Sequence, residues 1–222
     1  MSAILALSKD RADLRKRLAG IVVGYTFDGK AVTAGDIEAV GSMMVLLKDA
    51  INPNLVQTLE GVPVFIHGFP FANIAHGANS IIATRAAMTL GDYVVTEAGF
   101  AADLGAEKFM DIVCRQGGFS PDATVIVASV RALMTHGGGD IKNEATMTPE
   151  ALVKGFCNLD KHVKNMQSYG VPVVVAINRF HNDTEECLDL IRKHCDEIGV
   201  KVAMSDVFAK GGEGGIELAN TV

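Results

Sequence analysis

The 222 residues contain no tryptophan, three tyrosines, six prolines and four cysteines. Cys114, Cys157, Cys187 and Cys195 form no CxxC pair and stand at no zinc-finger spacing. That excludes a disulfide scaffold or a structural zinc site and suits reduced thiols in a core. Cys195 falls on a helical stripe with Leu188, Ile191 and Ile198, so it reads as buried. Basic charge is also scarce: 20 Lys and Arg against 26 Asp and Glu give a formal charge of -6. No broad basic face is available for a nucleic-acid backbone. Long apolar runs are missing too. The run at 171–177 is far too short to cross a bilayer, and MSAILALSKDR has no basic stretch ahead of its apolar residues. Neither a membrane span nor a secretory signal is read, and a cytoplasmic protein is expected.

What is present is a globular composition, 49% apolar and 21% charged, enough for one full core or two modest ones. Short β-branched runs recur: Ile21 to Tyr25, Val62 to Ile66, Tyr93 to Thr96, Thr124 to Val130, Val171 to Ile177 and Val200 to Met204. Helical patterns lie between them, which predicts an α/β fold, a largely parallel sheet with helices on both faces. Caps mark several helices. Thr33 opens a segment with Ile37, Val40, Met44 and Leu47 on one face. Thr148 before Pro149 opens another that stops at Gly170. Asp183, with Glu186 three residues on, opens a third that stops at Gly199. The polar, glycine-rich stretch His136 to Thr148 reads as a long surface loop or a lobe boundary.

In open parallel sheets ligands gather beyond the carboxyl ends of strands, where loops bring side chains into one crevice. Five predicted strands run into polar or aromatic residues there: His67 to Asn73, Glu97 to Phe100, Arg131, Asn178-Arg179-Phe180, and Ser205 to Phe208. A guanidinium such as Arg131 pairs with a phosphate or carboxylate, and a salt bridge to a nearby Asp or Glu serves it equally well. His67 and His76 flank GFPFANIA, each a proton handler or a satisfied hydrogen-bond partner. Phe180 and Phe208 suit offset stacking on a flat heteroaromatic ring such as a purine or pterin.

Two glycine-rich segments invite comparison with phosphate-binding loops. Lys210 to Gly215 precedes a short helical run, and its backbone N–H groups suit either an anion or plain capping. Gly24 to Ala31 is nearly a Walker A sequence, but Ala31 stands where the Mg²⁺-binding hydroxyl belongs. A tight turn at Asp28-Gly29 is the better reading. No GxxxxGK[ST] occurs anywhere in the chain.

Five segments, PVFIHGFPFANIAHGANSIIATRAA, DYVVTEAGFAADLGAEKF, VIVASVRALMTHGG, GVPVVVAINRF and KGGEGGIELA, closely resemble consecutive segments of the formate-tetrahydrofolate ligase family. The resemblance runs the length of the chain and implies its middle portion. Residues 1–140 would be the C-terminal part of the nucleotide-binding domain, and 141–222 a second α/β domain carrying the folate-stacking residues. It implies ligation of formate to N10 of tetrahydrofolate through formyl phosphate, with Mg-ATP, a monovalent cation and a cytoplasmic homo-oligomer. The family's P-loop lies upstream, so this chain alone is expected to be inactive. A non-catalytic pterin- or nucleotide-binding module needing a P-loop partner is the alternative. By position, Phe180 and Phe208 match the aromatic pair that clamps the pterin. Glu97, Phe100 and Arg131 match the nucleotide or intermediate side, His67 is the candidate catalytic residue, and no metal ligand is assigned. Phe208 stands where tryptophan is common, Phe69 where glycine is usual, and His181 where proline usually follows NRF.

Overall fold

A β-branched run becomes a strand only where a neighbour accepts its backbone hydrogen bonds, and this sorts the six predicted strands. The computed structural model describes residues 1–68 and 76–222. Phe69, and with it the expected crowding of that loop, lies outside the described residues. The chain divides into two compact units, Met1–Ser120 and Pro121–Val222. The sequence-derived boundary at 140 falls inside the second unit.

Helices α1 (Ser2–Leu7) and α2 (Arg11–Ala19) open the first unit, and Asp10 caps α2 by accepting the Asp13 N–H at 2.8 Å. Strands β1 (Val22–Tyr25) and β2 (Ala31–Thr33) form an antiparallel hairpin. Then come α3 (Val40–Leu46), a second antiparallel hairpin of β3 (Asn54–Gln57) and β4 (Pro63–Ile66), and α4 (Ile81–Leu90). Two stretches of π-helical turns, Ala101–Ala106 and Phe109–Cys114, lead into α5 (Arg115–Gly117). One small core gathers Leu14, Leu18, Ala34, Val40 and Ile51.

The second unit carries the parallel sheet: β5 (Thr124–Ala128), β6 (Val173–Asn178) and β7 (Lys201–Ser205), in that order. As the central strand, β6 buries Val174, Val175, Ala176 and Ile177 on both faces, as its unbroken apolar run requires. Helices α6 (Val130–His136), α7 (Pro149–Gln167) and α8 (Glu185–Glu197) connect the strands, with caps from Ser129, Thr148 and Thr184. Leu152, Phe156, Leu159, Leu188, Ile191 and Cys195 from α7 and α8 pack with Val175 and Ile177 of β6. His194 Nε2 donates to the Asp160 carboxylate at 2.7 Å and its ring stacks on Phe156 at 4.1 Å, tying α8 to α7. The chain ends in α9 (Val207–Lys210), a 3₁₀ turn at Gly211–Gly215, and α10 (Ile216–Thr221).

The α/β class holds, while the parallel sheet is limited to three strands and the two hairpins are antiparallel. Four expectations are corrected. Tyr93 to Thr96 is not a strand: no described strand pairs with it, and Tyr93 and Val95 are exposed. Thr33 does not open a helix. Ala34 N–H and Gly35 N–H donate to the Ile21 and Ala19 carbonyls, so turns intervene before α3 begins at Val40. The cap of α8 is Thr184, not Asp183, whose carboxylate is taken by Phe180 N–H. Cys157 is exposed, unlike Cys114, Cys187 and Cys195. Burial pushes the thiols of Cys114 and Cys195 up to about 11, with Asp196 and Asp160 adding to the rise at Cys195; neither is a ready nucleophile.

Helices α6 and α7 meet without room for a side chain. A Cβ on Gly155 would lie 1.9 Å from the Leu133 carbonyl oxygen, and one on Gly137 would lie 1.7 Å from that of Ala151. Neither has a positive φ, so the requirement is steric. Gly155→Ala is expected to lower stability by about 2–3 kcal/mol, since backbone rather than a flexible side chain must move. Urea unfolding monitored in the second unit checks this; an unchanged midpoint would refute the close approach.

Candidate ligand site at the strand ends

The β6–β7 register runs from Val174↔Lys201 to Asn178↔Ser205, so the two strands end side by side. Arg179 N–H extends the ladder by donating to the Ser205 carbonyl at 3.0 Å. One residue later Phe180 leaves the sheet, and three residues past Ser205 comes Phe208 on α9. Both rings are exposed, Phe180 at 47% and Phe208 at 96%. Such exposure leaves ring surface open to a flat ligand.

Each aromatic sits on a braced turn. Asp183 accepts the Phe180 N–H at 2.8 Å and returns its own N–H to the Phe180 carbonyl at 3.0 Å. Arg179 pairs with Glu185 at 2.9 Å. On the other side, Asp206 N–H donates to the Gly214 carbonyl at 2.9 Å, and Lys210 pairs with the Asp206 carboxylate at 2.9 Å across one turn of α9. A Cβ at Gly214 would fall 2.3 Å from the Asp206 carbonyl oxygen, so only glycine lets this loop fold back. Beneath the turn lies a cavity of about 270 Å³ whose walls include Arg179, Arg192, Asp206, Lys210, Glu213 and Glu217. Its volume suits part of a ligand rather than a whole cofactor.

Asp206 and Gly214 fall within the strand-end and glycine-rich segments singled out from the sequence, Asp183 is expected there only as a helix cap, and Glu217 is not among the candidates. Asp183 was legible as a turn former three residues after Phe180. Glu217 reaches back from α10 to accept the Met204 N–H at 3.0 Å, a partnership across 13 residues that no local pattern announces.

The other candidates separate. Arg131 lies exposed in the first turn of α6, just past β5, and among the described residues it forms no ion pair. Glu97 and Phe100 belong to the first unit, both exposed in the irregular segment before the π-helical turns. His181 is exposed in the turn after Phe180. His67 is 5% exposed, and the expected catalytic role finds no free ring nitrogen. Its Nε2 donates to the Ala50 carbonyl at 2.7 Å, because a carbonyl only accepts. Its Nδ1 therefore accepts from the Ser80 hydroxyl at 2.6 Å, and the same Ser80 oxygen accepts the Ala83 N–H at 3.0 Å. His67 thus braces the end of β4 against the cap of α4.

The near-Walker segment is the hairpin of β1 and β2. Thr26 N–H donates to Lys30 O at 2.9 Å, Gly29 has φ 83°, and Lys30 pairs with Asp28. A strand follows it where a P-loop needs a helix. Among the described residues no group of three or more His, Cys, Asp or Glu side chains could hold a metal ion, and no helix is long and apolar enough to cross a membrane.

The family profile described as formate-tetrahydrofolate ligase matches residues 1–222. The chain belongs to the formate-tetrahydrofolate ligase family. A formate-tetrahydrofolate ligase of Bacteroides fragilis is 55% identical to it over 220 residues, which cover 99% of this chain and 40% of that relative. The chain therefore spans about two fifths of the length of that curated formate-tetrahydrofolate ligase.

His76 is fully buried, with no hydrogen-bond partner for either ring nitrogen among the described residues. Burial holds its pKa below the ordinary value, and the Lys108 charge adds to the depression. A histidine that resists protonation when folded costs no stability above its unfolded pKa. As pH falls below about 6.5 the unfolded chain takes up the proton and stability declines. Denaturant unfolding should therefore weaken between pH 7 and 5.5, and His76→Gln should flatten that slope. An equal slope in wild type and variant would contradict the assignment.

Proposed function

We propose that this chain is part of an ATP-dependent ligase that joins formate to N10 of tetrahydrofolate, and that its own contribution is the folate side. The observation that carries the reading is the pair of exposed phenyl rings at neighbouring strand ends in a member of this family. Phe180 and Phe208 would flank the pterin, each supplying one ring face. The braced turns would limit the loss of loop entropy on binding, which favours affinity.

ATP supplies the phosphoryl group that converts formate to formyl phosphate, and phosphoryl transfer demands charge neutralisation around the transferred group. No P-loop occurs in these 222 residues, so those contacts would come from the remaining portion of the family's chain. Glu97, Phe100 and Arg131 would line the nucleotide or intermediate side, and the exposed, unpaired Arg131 is the group suited to an anion. His67 would act as a positioning residue. The proposal carries with it Mg-ATP, a monovalent cation, a cytoplasmic homo-oligomer, and the assignment of residues 1–140 and 141–222 to consecutive domains.

Calorimetric titration of tetrahydrofolate into the purified chain tests the folate half. Phe180→Ala and Phe208→Ala should each weaken binding by about 1–3 kcal/mol, the usual loss when an aromatic platform is removed. Phe208→Trp should preserve or tighten it through greater contact area. No heat with the wild-type chain would overturn the folate site. A formate- and ATP-dependent assay of the chain alone is expected to yield no 10-formyltetrahydrofolate; robust production would overturn its dependence on another portion. Folate binding unaccompanied by turnover under every reconstitution would favour a non-catalytic pterin-binding module.

A further inference from the structure

The first unit holds a hollow that none of the folate-side residues touches. It opens between α2 and the segment that leads into α3, encloses about 630 Å³, and has Arg15, Lys16 and Glu38 in its walls. That volume falls in the range of small-molecule sites. Positions 12, 15, 16 and 19 of α2 recur at three- and four-residue spacing and share one side of the helix. All four line the hollow, while Leu14 and Leu18 of the same helix are buried in the core.

The charged walls are uncommitted. Arg17 nearby is taken by Asp13 and Gln116. Arg15, Lys16 and Glu38 are exposed, and among the described residues they form no ion pair. Glu38 stands at φ 57°, a left-handed conformation that side chains disfavour. It is held there by Glu38 N–H donating to the Gly35 carbonyl and Ala39 N–H to the Ala34 carbonyl, both at 3.1 Å.

Gly41 adds a steric observation. It lies in α3, where alanine would favour the helix. Its φ is not positive, and a Cβ there would meet nothing within 4 Å. Nothing inside the chain requires glycine at this position of the wall, whereas an occupant lying against the backbone does.

We propose that this hollow binds a sugar phosphate, a function beyond the ligase reading. The adjacent cations Arg15 and Lys16 match the two negative charges of a phosphomonoester. The Glu38 carboxylate, which only accepts, takes hydroxyl protons of the sugar. Ala12, Ala19 and Val40 offer apolar contact to its C–H face, and Gly41 leaves it room. No aromatic side chain stands among the wall residues, so a nucleobase finds no stacking platform.

The test titrates ribose 5-phosphate into the full chain, isotopically labelled, and follows the amides of Ala12, Gly35 and Gly41 by nuclear magnetic resonance. Saturable shifts are expected at all three. Arg15→Gln and Lys16→Gln should each weaken binding by ~10-fold or more, as loss of a charge-assisted hydrogen bond does. Glu38→Ala should reduce the affinity to that of inorganic phosphate, and Gly41→Leu should block binding without lowering the melting temperature. Lys48→Gln, exposed and outside the hollow, should change nothing. The proposal is overturned if no saturable shift appears, or if the Arg15, Lys16 and Gly41 variants bind normally. Inorganic phosphate binding as tightly to the unaltered chain would overturn it as an adventitious ion only. Tighter binding of adenosine monophosphate would overturn it in favour of a nucleotide, and self-association abolished by Gly41→Leu in favour of a second copy of the chain. Should Gly41→Leu fail to fold, the Arg15 and Lys16 variants decide. Phe180→Ala should leave ribose 5-phosphate binding intact, so this proposal and the folate reading fail separately.

Discussion

The parallel pairing of β6 with β7 is the constraint on which the candidate site depends. Five consecutive partners, closed by the Arg179 N–H to Ser205 O bond, fix where both strands stop. A shift by one residue would reverse which side chains of β6 meet α7 and α8, so the packed core holds the register. The ends of the strands, and with them Phe180 and Phe208, inherit that precision. The braces supplied by Asp183 and by Asp206 with Gly214 then govern the short distance from sheet to ring.

The second unit is built for such positioning. Helices α6, α7 and α8 begin at side-chain caps, the central strand is buried on both sides, and the α6–α7 crossing admits only glycine.

Where local chemistry dictates structure, the sequence was legible. Thr148-Pro149 opens α7, Asp28-Gly29 turns the first hairpin, and the stripe through Leu188, Ile191 and Cys195 faces the core. The unbroken apolar run at β6 identified a strand. It could not distinguish parallel from antiparallel partners, because β-branched residues suit both; hence Val62 to Ile66 was expected in the parallel sheet and instead pairs with Asn54–Gln57. Tyr93 to Thr96 has strand composition and no described partner, a matter of tertiary context. For the site, the strand-end rule located Phe180 and Phe208, while the residues that brace them depend on contacts such as Asp206 with Gly214 that sequence patterns do not reveal. His67 shows the converse: a histidine at a strand end with both nitrogens committed to structure.

The most direct measurement of the central claim is a set of intermolecular nuclear Overhauser effects between ring protons of Phe180 and Phe208, isotopically labelled in this chain, and the C6 and C7 protons of bound tetrahydrofolate. The account predicts contacts from both rings to the same pterin. Contacts from one ring only, or from neither while folate remains bound, would contradict it.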